Sequence, residues 1–392
     1  MRAYERSHPW LTFRLDLSRA SYQLWLLLGE AQSKSQHVVG TPLTPALQRQ
    51  FHSLYLAKGA HATTAIEGNT LTEEQVRQHL EGKLEVPPSQ EYLKRELDNI
   101  TTAFNEIAKV VFDEQRRTLT VADLLAYNAR VLSELPIEKD VVPGAVRTHL
   151  VTVARYPGAP AEDCAYLLEK LCAWLNDSFQ APEGFEIAFG ILKAIVAHVY
   201  LAWIHPFGDG NGRTARLLEF RILIAVGVPS TAAHLLSNHY SKTRAEYYRQ
   251  LDHAHRSGGD LLPFIEYALR GFIEGLREQI QRLRIQQRDI CWRDYVHERF
   301  RDRRSDGDKR RRDLALAISL RGEPTPAERL KLLTPETAAL YATKSDKTLA
   351  RDIRELIAMD LLEATDQGLR ARKEIMSAFT ARQAVGSPAV SP

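Results

Sequence analysis

His205-Pro206-Phe207-Gly208-Asp209-Gly210-Asn211-Gly212-Arg213-Thr214-Ala215-Arg216 is the stretch on which the reading of this chain turns. One apolar run, Ile187 to Ile204, leads into it, and another, Leu217 to Val226, leads out. The pattern is therefore helix, glycine-rich loop, helix. Gly208, Gly210 and Gly212 alternate, so successive backbone N–H groups can turn inward, because glycine tolerates positive φ. Such a nest at a helix N-terminus binds an anion, a diphosphate among them. Arg213 and Arg216 lie three apart on the first turn and face one side, and guanidinium forks match phosphate oxygens. Asp209 is the one carboxylate in the loop. Magnesium commonly takes one or two protein carboxylates together with substrate phosphates, so Asp209 is the expected metal ligand. His205 has an unperturbed pKa near neutrality, which suits a general base. Together these parts describe phosphoryl or nucleotidyl transfer.

Taken singly, each residue has a plainer use. A histidine after a helix is commonly structural, Gly-Asp-Gly-Asn-Gly is commonly a tight turn, and an arginine pair on a first turn is commonly solvated. What the plainer uses leave unexplained is their concurrence in twelve residues. The loop is not a Walker A motif, since no Gly-Lys-Ser/Thr follows, and it lacks the Gly-x-Gly-x-x-Gly spacing of a dinucleotide fold.

Working outward, the pattern is mainly helical. Helices are expected over 22–34, from Pro45 through Tyr55, and from about residue 73, where Thr72 and Gln75 form a capping box. More follow at 90–115, 120–134, 162–178, 186–204, 212–226, 242–256 and 260–288. Val141 to Pro160 is rich in proline and glycine, and Thr148 to Val153 alternates weakly, so a short hairpin is expected there. The run Ile187–Ile204 approaches the length of a membrane span, but Lys193 and His198 interrupt it, and a buried helix is the better reading. No membrane partner is expected. Residues 1–20 carry six charges and no apolar stretch of the kind a signal peptide needs, which predicts a cytoplasmic protein.

The whole chain, 392 residues with 44% hydrophobic and 26% charged, has ordinary globular composition, which excludes a disordered, collagen-like or coiled-coil-only chain. Three cysteines, Cys164, Cys172 and Cys291, are too few for a disulfide framework and are not in metal spacing. The near balance of 52 basic and 49 acidic residues conceals an asymmetry. Residues 281–392 hold 23 basic and 17 acidic side chains, net +6, and the remainder is net −3. Arg299 to Arg312 reads as an exposed basic linker or helix face. Short helices are expected near 325–332, 335–342 and 346–358, and a hairpin turn at Asp366-Gln367-Gly368. That order is the order of a winged-helix module, with Lys347, Arg351 and Arg354 on the candidate recognition helix. DNA is accordingly a candidate partner, through this module.

The twelve-residue stretch matches, at each defining position, His-Pro-Phe-x-Asp/Glu-Gly-Asn-Gly-Arg-x-x-Arg, and so resembles the signature of the Fic family. The resemblance extends over roughly 40–280. Pro143-Gly144-Ala145-Val146-Arg147 with the β-prone stretch after it resembles the family's flap, which positions a target segment by strand addition. Leu236-Ser237 and Tyr247-Tyr248 resemble the nucleotide side. The resemblance implies a mainly α fold: a Fic helical core with a short β-hairpin flap, here with the winged-helix-like module. The expected organisation is an N-terminal helical region with an inhibitory helix (1–110), a Fic core (111–288), the winged-helix-like domain (289–381) and a disordered tail (382–392).

The resemblance further implies AMP transfer from ATP to a Ser, Thr or Tyr hydroxyl of a target protein, which could be the chain itself. His205 would deprotonate the hydroxyl. Asp209 would hold Mg2+. Gly208, Gly210, Asn211 and Gly212 would orient the phosphates, and Arg213 and Arg216 would clamp the distal ones. Spacing alone does not distinguish attack at the α-phosphorus from attack at the γ-phosphorus; only the resemblance selects AMP. Thr63-Thr64-Ala65-Ile66-Glu67-Gly68-Asn69 resembles the family's inhibitory motif, in which Glu67 would occupy Arg216 and block the γ-phosphate. The same carboxylate could instead orient a water that removes AMP. The sequence leaves the target, the direction of the reaction and a homodimer open.

Overall fold

The computed structural model describes residues 1–116, 118–153 and 156–376, so the tail expected over 382–392 lies outside the described residues. The chain divides into two compact units, Met1–Ile280 and Gln281–Pro392.

The first unit is helical: α1 (Tyr4–Ser7), α2 (Tyr22–Val39), α3 (Pro45–Ala65), α4 (Glu73–Leu80), α5 (Glu91–Phe112), α6 (Val121–Val131), α7 (Cys164–Asp177), α8 (Glu186–Ile204), α9 (Asn211–Ala225), α10 (Leu235–Lys242), α11 (Arg244–Arg256) and the beginning of α12 (Leu262–Arg299). Its axis is α8. From Ala194 to Ile204 every side chain of this helix is buried, His198 included. It is the one described helix long and apolar enough for a membrane span, and 89% of that window is buried inside the fold. α8 therefore serves as the core helix against which α2, α7 and α9 pack. Local signals start the others. Thr44 caps α3 ahead of Pro45, and Thr72 and Gln75 form the expected capping box of α4. Thr120 and Asp123 do the same for α6.

Two parts depart from the sequence reading. The hairpin is shorter and later than expected: β1 (Thr152–Val153) pairs with β2 (Tyr156–Pro157), Thr152 opposite Pro157 and Val153 opposite Tyr156. Upstream, the His149 carbonyl is taken by the Arg147 guanidinium and is not free for a ladder. α10 was not expected at all. It is a short helix following Pro229, and its buried Leu235 and Leu236 pack against the unit's core.

The second unit has its own core around Trp292, Val296, Leu314, Ile318, Leu356 and Leu362. α12 does not end near 288. Trp292, Val296 and Phe300 continue its apolar spacing at four-residue intervals and are buried, so the helix runs to Arg299. The basic stretch after it is not a linker throughout: Ser305 and Asp308 form a capping box that starts α13 (Asp306–Ser319). Next come α14 (Pro335–Tyr341), α15 (Asp346–Ala358) and the antiparallel pair β3 (Leu362–Thr365) and β4 (Gly368–Ala371). Between α13 and α14, residues Ala327–Leu332 form a 3-10 turn rather than an α-helix.

Candidate active site

α8 ends at His205, whose backbone is left-handed at φ 47°. That reversal aims the chain back across the end of its own helix, and Gly210, at φ 76°, turns it again into α9. A side chain at Gly210 would press on Asn128, Val131 and Leu132 of the α6 region, so both conformation and space call for glycine. Between the two turns, Asn211 locks the loop. Its amide oxygen accepts from Phe207 N–H at 3.0 Å, and its amide nitrogen donates to the Phe207 carbonyl at 2.8 Å. Phe207 is fully buried and anchors the segment. Asn211 thus holds the loop that would hold phosphates; it acts on the backbone.

The first turn of α9 carries its uncapped N–H groups and the two arginines. Arg213 donates to the Glu96 carboxylate at 2.7 Å and lies 3.3 Å from Asp209. Arg216 is fully buried. Its Nη2 donates to the Thr63 carbonyl at 2.8 Å and to Glu67 Oε1 at 2.5 Å. Burial alone would raise the Glu67 carboxyl. The Arg216 guanidinium more than offsets this and holds it below the ordinary carboxylate range. Glu67 also fills the place above Gly212: a Cβ there would collide with the Glu67 carboxylate and sit 3.1 Å from Arg216 Nη1. A carboxylate therefore occupies the anion position of the helix N-terminus.

His205 sits at the other end of the loop. Its Nδ1 lies 3.3 Å from the Ala202 carbonyl. Burial drives its pKa down to about 4, so the imidazole is neutral at physiological pH and able to accept a proton. Asp209 is half exposed; its Oδ1 accepts from Gly210 N–H at 2.5 Å. Among the described residues there is no cluster of three or more His, Cys, Asp or Glu fit for a metal, and His234, His239, His253 and His255 form none.

The structure thus brings Glu67, from the turn after α3, to Arg216 in the first turn of α9, and Asp209 of the loop to Arg213. It adds two residues that were missed, Glu96 and Asn128, and gives roles to two, Asn69 and Arg147, that the motifs contained without one. Glu96, on α5, holds Arg213, and burial raises its carboxyl, an effect Arg213 only partly offsets. Asn69 donates to Glu96 at 2.9 Å and to the Leu93 carbonyl at 3.0 Å. Asn128, fully buried on α6, donates to the Asp209 carbonyl at 2.8 Å and accepts from Gly144 N–H at 3.0 Å, tying the loop to the Pro-Gly turn. Arg147 donates through Nε to the His205 carbonyl at 2.6 Å and through its own backbone N–H to the Pro206 carbonyl at 2.9 Å. A signal for Arg147 was present: an arginine with no acidic neighbour, between a Pro-Gly turn and a strand. Nothing local marked Glu96 or Asn128.

Behind Arg216, His198 meets the Tyr247 hydroxyl at 2.8 Å and lies 3.3 Å from Glu219, which accepts from Tyr240 at 2.9 Å. All four are buried, so His198 is a core residue of a polar network and has no access to substrate.

Residues 118–223 match the Fic/DOC family. The chain contains a Fic/DOC domain. Relatives include protein adenylyltransferase fic-1 of Caenorhabditis briggsae, 35% identical over 231 residues, 57% of this chain and 41% of that protein. The protein adenylyltransferase Fic of Nematostella vectensis is 31% identical over 225 residues, 57% of this chain and 48% of its own length. The chain thus spans less than half the length of these relatives. Among solved structures, a fragment of C. elegans Fic-1 superposes with TM-score 0.53 at 26% identity, covering 67% of this chain and 73% of that one. A Fic family protein from Desulfovibrio desulfuricans G20 shares the fold over 93% of this chain and 97% of its own, with TM-score 0.56 at 21% identity.

Proposed function

We propose that this protein transfers AMP from ATP to a hydroxyl of a target protein, and that Glu67 holds the reaction in check. The observation that carries the reading is the apposition of a neutral His205 to a glycine-lined helix N-terminus with two arginines, inside the segment that matches the Fic/DOC family. The adenylyltransferase names of the relatives support the choice of AMP. In this reading His205 takes the proton of the acceptor hydroxyl, the oxygen bonds to the α-phosphorus, and the bond from that phosphorus to the β-phosphate oxygen breaks, releasing pyrophosphate. Arg147 and Asn211 keep His205 and the loop in register by holding their backbone. The N–H groups of Gly212 and its neighbours, with Arg213 and Arg216, face the phosphates.

Asp209 alone is a donor set that fits magnesium, which completes its shell from phosphates and water. Bound there, the ion would supply charge neutralisation at the phosphates. The brake follows from competition: Arg216 cannot give the same Nη2 to Glu67 and to a γ-phosphate. Mass spectrometry of the chain and of candidate targets after incubation with ATP and Mg2+ tests the reading. An added AMP mass is expected, larger in a Glu67→Gly form; no added mass in either form refutes it.

A further inference from the structure

The second unit presents a surface for which AMP transfer has no use. α14 and α15 are separated by the four residues Ala342–Ser345, the spacing of a helix-turn-helix, and the β3–β4 hairpin follows. α15 is locked on its inner side. Asp352, fully buried, accepts from Arg310 Nε at 2.8 Å and from the Tyr341 hydroxyl at 3.0 Å, and Leu349 and Leu356 are buried beside it. These contacts fix which residues α15 turns to solvent. They are Lys347, Arg351 and Arg354, all exposed and spaced four and three apart, with Lys344 exposed in the turn before them.

None of these four cations forms an ion pair among the described residues. Elsewhere in the unit, Arg310, Arg311, Arg312, Arg370 and Arg372 each meet a carboxylate. The acidic residues of α15 do not cancel the patch. Asp352 faces inward, Asp346 is held by Lys331 at 2.7 Å, and only Glu355, toward the C-terminal end, is exposed without such a partner.

We propose that this face of α15 docks in the major groove of duplex DNA, its cations on the phosphates. A rigid helix about 10–12 Å across, presented by a turn and a neighbouring helix, matches a groove about 12 Å wide. The charge on its solvent face is what a phosphate backbone takes, and fixed helix geometry is what a groove requires. An acidic protein surface would need the charge but not the protruding helix, and it is the alternative that the test separates. The proposal rests on the second unit alone and does not depend on AMP transfer.

The test is fluorescence anisotropy of the full-length chain with a labelled random-sequence duplex between about 50 and about 200 mM salt. Four phosphate contacts give a slope of log affinity on log salt of about −3.6, a loss of about 150-fold over that range. The double substitution Lys347→Ala, Arg351→Ala is expected to reduce the slope to about −1.8, a loss of about 12-fold. Both side chains are exposed, so the fold is retained, which unchanged thermal unfolding checks. Arg282→Ala, Arg284→Ala, exposed on α12, is the control that leaves the slope unchanged. No duplex binding at about 50 mM salt up to about 10⁻⁴ M protein overturns the proposal. So does a slope unaffected by the α15 substitutions, or equal binding of single strands, which would mean a general polyanion or acidic-protein surface.

Discussion

Replacing Glu67 by glycine is the most direct perturbation of the site. Glu67 lies beyond the end of α3 at Ala65 and before Gly68, so a glycine there interrupts no helix. What it removes is one charge-assisted hydrogen bond to Arg216 and the carboxylate lying over Gly212. A hydrogen bond to a charged group contributes about 1.5–3 kcal/mol. At about 1.4 kcal/mol per power of ten, a phosphate competing for the same guanidinium gains roughly 10- to 150-fold. Freeing the N-terminus of α9 adds about 0.3–1 kcal/mol, a further factor of about 2–5. The expected result is a rise in AMP incorporation of one to three powers of ten, measured with α-labelled ATP; γ-labelled ATP should leave no label on protein. Glu67→Gln keeps the bulk and loses the charge, so it should fall between native and glycine forms. Equal incorporation by native and Glu67→Gly protein, with both binding ATP, would refute the argument that this carboxylate blocks a productive triphosphate.

Four further outcomes follow from other contacts. His205→Ala should reduce transfer by about 10²–10⁴-fold, the usual worth of a general base, with ATP affinity retained in a binding assay. Because burial lowers the His205 pKa to about 4, the imidazole stays neutral well below the ordinary histidine range. The rate of the Glu67→Gly form should therefore hold from pH 7.5 to about 5.5, whereas a fall centred near 6.5 would contradict the burial of His205. In that same background, Glu96→Gln should release Arg213 and lower the KM for ATP several-fold; an unchanged KM would mean that Glu96 and the phosphates do not compete. In the second unit, Asp352→Ala leaves Arg310 buried without its carboxylate, and should cost about 3–5 kcal/mol, read as early loss of hydrogen-exchange protection over residues 310–371 only.

The sequence disclosed the parts of the site that are contiguous. His205 to Arg216 could be read because a turn, a nest and a helix start must occupy neighbouring positions. Glu67 was found only because its own short motif resembles a known one. The partners that hold these groups were hidden by separation: Asn128 reaches Asp209 across 81 residues, and Glu96 reaches Arg213 across 117. A lone Glu or Asn in a helical pattern carries no sign of which distant backbone it will meet. Periodicity served α8 and α15 well, whose limits at 186–204 and 346–358 match the expectation. For α13 it left linker and helix face both open, because seven charged residues precede Leu314 in that helix; the Ser305–Asp308 cap is the signal that marks its start. α12 runs past the expected end near residue 288 because Trp292 and Val296, set among charged residues, continue its apolar spacing into the core of the second unit.

Arg216 shows why the proposed brake and the fold would share one contact. Its Nε and Nη1 have no hydrogen-bond partner, so the Thr63 carbonyl and Glu67 supply its polar contacts among the described residues. A guanidinium this deeply buried is stable only with an anion beside it. Here that anion is Glu67, and under the proposed transfer a phosphate would take its place. Glu67, Glu96 and Asp209 surround only Arg213 and Arg216, a local charge of −1 that opposes a triphosphate until one carboxylate leaves. The turn from Ile66 to Asn69 passes through Gly68 at φ 108°, a conformation that favours glycine, and is fixed by Asn69 N–H on the Thr64 carbonyl at 3.2 Å. Asn69 on the same turn holds Glu96, the partner of Arg213. One turn therefore touches both arginines, Arg216 directly through Glu67 and Arg213 through Asn69 and Glu96, so a substitution at Glu67 is expected to be felt at both.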